Sequence, residues 1–470
     1  MNTRKLRKSG AVLALWLTSS CLPAQAQGTT DSTRGASATP ASYSLKQAID
    51  YAVINNLTVK NAQSDQASSA ARVGEVRSVG LPQITGQAQI TRNIDIQNQF
   101  VPANAFRQFD ENGSPIPPDI IARLAFGVNY QSFAALSLNQ LLFDGSYFIG
   151  LKAAKTYQEL SRKAVAQSKI DVTEAVTKAY YSVLVNRERL NLLNTNVNRL
   201  DTLFRETRAQ FENGFVEKID ADRLEVQFIN IKIDQQRTQR LVELSEYLLK
   251  FQMGLPVAAP ITLADRLDNP NIENLDVGVN QSFNYNQRLD YSTLQTQREL
   301  GLLDVKNNRA GYLPRLFLTG TLGFNTGSNK FDVFTIPWYR YSGVGLGLTV
   351  PIFDGLQKRY KIQQARLTHE KTEQSIKLLE NSIDLQIQQA WVTLQNGVDA
   401  LKTQRRNLEL AQEVARVAKI KYQQGVGSNI EVINAEASYK EAQTNYYSAL
   451  YDTLVAKVDL DKATGKLLTE

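Results

Sequence analysis

Two segments of this chain, 141–256 and 351–467, repeat one pattern of residues. Leu142-Phe143-Asp144-Gly145 returns as Ile352-Phe353-Asp354-Gly355, and Phe211-Glu212-Asn213-Gly214 returns as Tyr422-Gln423-Gln424-Gly425. Such internal repetition means that one structural unit is used twice, so the fold is built from two similar halves.

The first 26 residues have the features of a cleaved export signal. Arg4 to Lys8 supply a basic start, residues 11–17 form a short apolar core, and Ala24-Gln25-Ala26 provides a small-x-small cleavage site. The apolar core is too short to span a bilayer, which needs about 20 residues. We expect the mature chain to begin at Gln27. Lipid attachment at Cys21 is the alternative.

Composition argues against several classes of function. Without the four basic residues of the signal, 49 of the 53 Lys and Arg remain, against 46 Asp and Glu. The mature chain is therefore nearly neutral, and its charge gives no indication of nucleic acid as a partner. Without Cys21 no cysteine is left for a disulfide, and His369 is the only histidine. No Gly-x-Ser-x-Gly motif or convergent set of acids indicates an exported hydrolase. We predict no enzyme activity, no catalytic residue, no metal and no cofactor.

Long helices without proline dominate both copies. Apolar residues stand seven apart from Val176 to Phe211, and the second copy repeats the series from Ile387 to Tyr422. We predict one helix from about 146 to 213, roughly 100 Å long at 1.5 Å per residue. Returning helices are predicted over 218–253 and about 430–464. A seam of this kind, taken alone, is typical of a structural coiled coil.

Amphipathic strands follow two Leu-Pro dipeptides. A helix predicted over 43–79 ends at Leu81-Pro82, and its counterpart over about 281–311 ends at Leu313-Pro314. Downstream, small and apolar residues alternate strictly over 343–350, which predicts a strand with one apolar face. The sequence predicts four strands, two per copy, within 83–99, 123–143, 316–322 and 343–350, with loops at about 100–122 and 326–340.

Four such strands in one chain cannot close a barrel. An open sheet edge in lipid leaves backbone groups unpaired at several kcal/mol each, so several protomers must pool their strands. Three copies would supply 12, an even number within the range of outer-membrane barrels. Aromatic residues near the strand ends suit a lipid boundary: Phe324, Phe331, Trp338, Tyr339 and Tyr341. A soluble sandwich is the alternative on the strands alone.

The chain also divides into segments. We predict a membrane α+β protein in which two copies of a strand-and-hairpin unit follow a signal peptide and a flexible leader rich in Ser, Thr, Gly and Ala. The predicted segments are the signal peptide 1–26, the leader 27–42, the first repeat 43–260, a linker 261–280 and the second repeat 281–470.

The Leu-Pro breaks, the paired Phe-Asp-Gly strand ends and the aromatic-x-x-Gly hairpins together resemble the TolC-type outer-membrane efflux proteins over residues 43–467. This resemblance implies a homotrimer with a 12-stranded β-barrel in the outer membrane of a Gram-negative cell and a periplasmic α-barrel made of the long hairpins. It implies a passive exit duct that works with a periplasmic adaptor (membrane fusion protein) and an inner-membrane pump of RND or ABC type, in efflux or type I secretion. A periplasmic coiled-coil adaptor or scaffold without a pore is the alternative.

The resemblance also marks residues at the periplasmic entrance. Matched position by position, the family's acidic sites fall on Asp220 and Glu431, while Asn434 replaces the second member of the latter pair. The gating tyrosine matches Tyr422, and Gly427 stands where the best-known member has arginine. A Tyr422–Asp220 contact is therefore compatible with this sequence, whereas the arginine link is lost.

Local helix chemistry offers another role for the same residues. Ser428 to Glu431 fits a capping box, and Asp220 sits in a first helical turn, where the macrodipole favours a carboxylate by about 0.3–1 kcal/mol. The glycines of the turns permit a left-handed backbone at a helix end. By the resemblance, the tips are also expected to dock the adaptor: Gly214, Phe215, Gly425, Val426 and Gly427.

Overall fold

A computed structural model of the protein describes residues 41–105, 115, 117, 119, 121–267 and 283–467. The predicted signal peptide and most of the predicted leader and linker lie outside these residues. The helices are α1 Leu45–Asn55, α2 Leu57–Ser78, α3 Gly145–Glu212, α4 Lys218–Met253, α5 Leu289–Ala310, α6 Gln357–Gln423 and α7 Asn429–Ala463. The strands are β1 Ala41–Tyr43, β2 Gln83–Arg92, β3 Asn98–Pro102, β4 Ile121–Ala125, β5 Tyr130–Phe143, β6 Ile261–Leu263, β7 Arg315–Ser328 and β8 Tyr339–Thr349.

Two very long helices form the body of the protein. Helix α3 has 68 residues and α6 has 67, which makes each roughly 100 Å long, as the sequence predicted. Each turns back as a shorter helix, α4 or α7, that packs along it. Helix α3 also packs against α7, so the two hairpins of one chain lie side by side.

The shorter helices differ from their predictions. One helix was predicted over 43–79, but it is broken at Asn56, whose side-chain Oδ1 accepts from the Thr58 N–H at 2.7 Å and caps α2. The Asn56 amide nitrogen also donates to the backbone of Gln252 in α4 at 2.7 Å, so the break is a tertiary anchor point. In the second copy α5 begins only at Leu289, after a 3-10 turn over Tyr285–Gln287.

The edges of the predicted leader and linker belong to the folded body. Strand β1 pairs in parallel with β6, and Tyr43 is the partner of Leu263. The Asp265 carboxylate accepts from the Leu45 N–H at 2.8 Å and from the Tyr180 hydroxyl at 2.9 Å. Residues 41–43 and 261–265, at the edges of the predicted leader and linker, are therefore held together and against α3 by this strand pair and this carboxylate. The domain boundaries themselves stay predictions.

A four-stranded antiparallel sheet stands at one end of the helices, in the order β2-β5-β7-β8. Its members are the four predicted strands. The first predicted strand ran to residue 99 and the second began at residue 123, but β2 ends at Arg92 and β5 begins at Tyr130. Residues of β3 and β4 form a separate antiparallel pair instead, partly within the predicted loop.

In the edge strands β2 and β8, one face of the sheet is mainly apolar and the other is mainly polar or small. Cross-strand partners share a face, and the register joins Ile84 to Leu138, Leu136 to Leu322, and Leu318 to Leu346. Residues one position away carry the opposite character along β2 and β8: Gln83, Thr85, Gln87, Gln89 and Thr91 in β2, and Gly343, Gly345 and Gly347 in β8. In the single chain the apolar face is open, with Val344 84% and Leu346 70% exposed.

The buried core lies among the helices. One cluster, remote from the turns of the helical hairpins, packs α1, α3 and α4 around Tyr180 and Met253. A second cluster, near those turns, packs α3, α4, α6 and α7 around Leu224 and Val432. The predicted seam residues Val176 and Val183 are fully buried. None of the described helices combines the length and apolar character that crossing a bilayer requires.

Candidate entrance at the hairpin tips

The first hairpin tip joins α3 to α4 through a left-handed glycine. Gly214 has φ 77°. Its N–H donates to the carbonyl of Phe211 at 2.9 Å, and the Phe215 N–H donates to that of Gln210 at 2.9 Å. These two bonds are the Schellman pattern, which ends a helix where a glycine permits positive φ. The turn leaves the Phe215 side chain 81% exposed at the tip.

The second tip uses the same backbone chemistry. Gly425 has φ 74°, its N–H donates to the carbonyl of Tyr422 at 3.0 Å, and the Val426 N–H donates to that of Lys421 at 3.0 Å. Val426 is 77% exposed. The glycines therefore have the predicted role in the turns, and each tip presents one apolar side chain to solvent.

Gly427 has a steric reason to be glycine. A Cβ there would lie 2.9 Å from Cβ of Lys421 and 3.1 Å from the backbone nitrogen of Tyr422. The Gly427 N–H also donates to the Lys421 carbonyl at 3.1 Å, which holds the turn against the end of α6. A larger residue at this position would therefore require the turn or the end of α6 to shift.

Asp220 lies in the first turn of α4, as predicted. Its side chain is 27% exposed and its Oδ1 lies 3.8 Å from a guanidinium nitrogen of Arg223. The N-cap, Glu217, makes no side-chain capping bond. The Asp220 carboxylate is therefore the charge that faces the positive end of the helix.

Glu431 lies in the first turn of α7. Its N–H donates to the Ser428 hydroxyl at 3.3 Å, which confirms Ser428 as the N-cap. The second half of the predicted capping box was wrong: in the described chain the Glu431 side chain does not return a bond to the Ser428 N–H. Because Glu431 is exposed and Asn434 is exposed one turn later, both side chains are available to a lumen or a partner.

The Tyr422 hydroxyl finds a partner within its own chain. It lies 3.4 Å from Oγ1 of Thr207, a fully buried residue of α3. Over the described residues, no hydrogen bond joins Tyr422 to Asp220. Thr207 follows Leu193 and Leu200 at intervals of seven, so a hydroxyl at an apolar seam position was the signal that sequence reasoning missed.

Asn429 joins the two tips. It is buried, and its amide nitrogen donates to the backbone carbonyl of Asp220 at 2.8 Å. This bond places the first turns of α4 and α7, and with them Asp220 and Glu431, at one end of the molecule. The sequence identified both acids but not the residue between them, because Asn429 reads as an ordinary helix-start residue.

Higher in the α3–α7 interface lies a buried charged pair. The Arg199 guanidinium donates to Glu436 at 2.5 Å and lies 5.1 Å from the ring centroid of Tyr439. Burial raises the pKa of the Glu436 carboxyl, although Arg199 and Lys419 act in the opposite direction. One turn up, the Asn196 amide donates to Gln443 at 2.7 Å. Among the described residues no cluster of His, Cys, Asp or Glu is arranged to hold a metal ion.

Comparisons with known proteins agree with this architecture. A family model described as outer membrane efflux protein matches residues 48–248 and 286–466. The chain is 19% identical to the outer membrane protein TolC of Vibrio cholerae over 377 residues, covering 77% of this chain and 85% of that protein. It is 22% identical to the alkaline protease secretion protein AprF of Pseudomonas aeruginosa over 348 residues, covering 72% and 71%.

The fold is also similar to solved structures. The CmeC outer membrane channel of Campylobacter jejuni superimposes with a TM-score of 0.69 at 18% identity, covering 90% of this chain and 85% of that one. The MtrE outer membrane channel of Neisseria gonorrhoeae, in its open state, gives a TM-score of 0.67 at 17% identity, covering 90% and 89%.

This combination of an amphipathic sheet with two long helical hairpins is the architecture of outer-membrane export channels. The family match covers most of both repeats. This chain belongs to the outer membrane efflux protein family.

Proposed function

We propose that three copies of this chain form the passive exit duct of a tripartite efflux or type I secretion system. The observation that carries the proposal is the open, two-faced sheet. Strands β2 and β8 each pair on one side only within the described chain, and the apolar residues of both strands are exposed. In lipid such edges must be closed by other copies, and three copies give 12 strands.

The helices support the same assembly. Helices α4 and α6 flank the α3–α7 pair and carry exposed apolar residues that find no partner within one chain's core. On α6 these residues recur at heptad spacing, as Leu378, Leu385 and Val392. On α4 they include Leu244 and Phe251. Contact between α4 of one copy and α6 of the next buries both faces and closes a helical tube.

At the far end of this tube Asp220 and Glu431 form the entrance, and Tyr422 and Asn434 lie beside it. Three copies bring six carboxylates around one axis, which favours cations and allows block by multivalent ones. The exposed tips at Phe215 and Val426, with their glycine turns, dock the periplasmic adaptor, which joins the duct to an inner-membrane pump of RND or ABC type.

The entrance is tested by the double variant Asp220→Ala with Glu431→Ala in planar bilayers. We expect higher single-channel conductance and weaker block by a trivalent cation, because the charges that attract it are gone. Glu370→Ala with Glu373→Ala removes two acids near the other end of α6 and serves as the matched control. Conductance and block equal to those of the parent would remove Asp220 and Glu431 from the entrance.

Assembly is tested separately from the entrance. A trimer that resists detergent without heating, recovered with the outer-membrane fraction, is the expected result. A soluble periplasmic monomer would favour the alternative of an adaptor or scaffold without a pore. The inner-membrane pump that accompanies the duct indicates its class of cargo. Genes adjacent to this one are the direct route, since a proton-driven pump indicates small molecules and an ATP-driven pump with a secreted protein indicates polypeptide export.

A further inference from the structure

The apolar face of the sheet ends in arginine at the end remote from the helices. Arg92 is the last residue of β2 and pairs with Tyr130. Arg340 is the second residue of β8 and pairs with Phe324. The register puts both on the same face as Ile90, because residues two apart along a strand share a face. Both arginines are exposed.

The basic side chains at the two ends of the sheet differ in their ion pairing. At the end that joins the helices, Arg315 lies 3.3 Å from Asp144, and Lys358 lies 3.2 Å from Asp354. At the other end no ion pair involves Arg92 or Arg340 within the described residues, although the exposed Asp95 follows Arg92 closely. Among the described residues, Arg92 and Arg340 therefore lie on the apolar face without an ion pair.

A row of aromatic rings begins beside Arg92. Its guanidinium lies 5.9 Å from the ring centroid of Tyr130, and the Tyr130 ring meets that of Phe331 edge to face at 5.4 Å. Phe334 packs on Phe331 at 6.2 Å. Aromatic rings at a strand end mark the level of lipid headgroups, and a cation–π contact holds a guanidinium there without neutralising it.

The depth of these arginines agrees with a headgroup partner. A charged residue on the lipid face costs about 2–4 kcal/mol at the bilayer midplane and close to nothing at the interface. Arg92 and Arg340 stand at strand ends, next to aromatic residues and beyond the apolar run of Val344, Leu346 and Leu348. The helices leave from the opposite end of the sheet, so this end faces the outer leaflet.

We propose that Arg92 and Arg340 bind the phosphate groups of the glycolipid in the outer leaflet. The inference rests on the proposed membrane assembly. Guanidinium binds phosphate through two parallel N–H···O bonds, which distinguishes this contact from simple attraction to an anionic surface. In the closed cylinder β8 of one copy lies beside β2 of the next, at about 4.8 Å between strands. Arg340 and Arg92 then approach one another across each subunit boundary, giving three sites per trimer.

The test uses the full-length protein in mild detergent, with bound lipid counted by native mass spectrometry. The probe is bis-phosphorylated lipid A, and the comparison is the same lipid without phosphates. We expect a clear preference for the phosphorylated form. Arg92→Gln or Arg340→Gln is expected to weaken its binding by about fivefold and the double variant by about 25-fold, the usual size for a basic side chain at an anionic surface.

Controls separate position from charge. Arg359→Gln with Arg366→Gln removes two exposed arginines near the start of α6, and lipid A binding is expected to be unchanged. Arg92→Lys with Arg340→Lys keeps the charge but loses the paired geometry, so intermediate binding is expected. Equal binding by the parent and the Gln double variant would refute the site, as would equal binding of phosphate-free lipid. Displacement by millimolar inorganic phosphate alone would refute the lipid as the source.

The failure of this site differs from the failure of the channel. A parent protein that fractionates with the outer membrane as a trimer, yet shows no preference for phosphorylated lipid, refutes the arginine site only. A parent protein absent from the outer membrane refutes the proposed function. If the double variant fails to assemble, the single variants and the Lys double variant decide the question on assembled protein.

Discussion

Helices α3 and α7 are joined by charged contacts at two levels, and the two levels differ in kind. The upper one, here the equatorial network, is a half-exposed chain of five charges: Asp171, Glu174, Lys178, Asp459 and Lys462. The lower one, here the buried pair, is Arg199 with Glu436, whose side chain is only 9% exposed. Both join the same two helices, but they differ in the burial of the glutamate and in the number of cations that contact it.

Burial reverses the pKa shift of the glutamate. In the equatorial network burial acts to raise the pKa of Glu174, but hydrogen bonds from Lys178 and Lys462 outweigh it and lower that pKa. In the buried pair the loss of solvation outweighs Arg199, and the pKa of Glu436 is raised. The network is thus held by several weak, redundant contacts. In the buried pair, Arg199 is the side chain that hydrogen-bonds Glu436, so removing Arg199 leaves a buried carboxylate without that partner.

The largest expected effect comes from breaking the buried pair. Arg199→Ala leaves Glu436 without its counter-charge, and we expect a loss of about 3 kcal/mol in stability. Arg205→Ala is the matched control, since Arg205 pairs with Asp201 on the same helix but is mostly exposed. Thermal unfolding of the detergent-solubilised protein measures both. Equal melting temperatures for the two variants would show that burial does not separate these pairs.

Breaking the equatorial network is expected to cost less. Lys462→Ala removes contacts to Asp171 at 3.0 Å and Glu174 at 2.6 Å, and we expect a loss of about 1 kcal/mol, because the partners stay hydrated and Lys178 still contacts Glu174. The loss should shrink in high salt, which screens exposed charges. Lys371→Ala, at an exposed site on α6, is the control. A loss independent of salt would contradict a screened network.

The smallest effect is a difference in pH dependence. Because the pKa of Glu436 is raised above the ordinary glutamate value of 4.5, the folded state holds its proton more tightly than the unfolded state does. The contribution of this group to the stability of the fold is therefore fully present below pH 4.5 and is lost as the pH rises through the folded-state pKa. Glu174 has the opposite sign: its contribution is present above 4.5 and is lost as pH falls through the lowered pKa.

Single glutamine variants test this prediction through melting temperature against pH. Glu436→Gln should remove the loss of stability on raising the pH, and Glu174→Gln should remove the loss on lowering it. Two variants whose pH profiles change in the same direction would contradict the comparison.

The regular elements were largely predictable because they have short periods. The seven-residue series from Val176 to Phe211 predicted α3, and strict alternation over 343–350 predicted β8. The break at Asn56 was missed because it depends on a bond to the Gln252 backbone, far away in the chain. The β3–β4 pair was missed since its strands are short and carry no alternating pattern that stands out.

The local structure of the hairpin tips was predicted in part. Asp220, Glu431 and the glycines were identified from motif positions. The close packing of Gly427 against the end of α6 gives a steric reason for glycine at this position, which the sequence alone did not supply. Thr207 and Asn429 were not identified. Each is an ordinary polar residue whose role follows from the partner that packing brings to it, Tyr422 in one case and the Asp220 backbone in the other.

The sequence alone determined two helical hairpins, four amphipathic strands and their use in duplicate, because heptad spacing and alternation are local properties of the chain. Only the tertiary structure decided that the two hairpins lie side by side, with α7 against both α3 and the start of α4. That choice brings Arg199 to Glu436 across 237 residues and Asn429 to Asp220 across 209. No local period records such pairs, since they arise from the packing of surfaces whose neighbours the chain reaches only after it has folded.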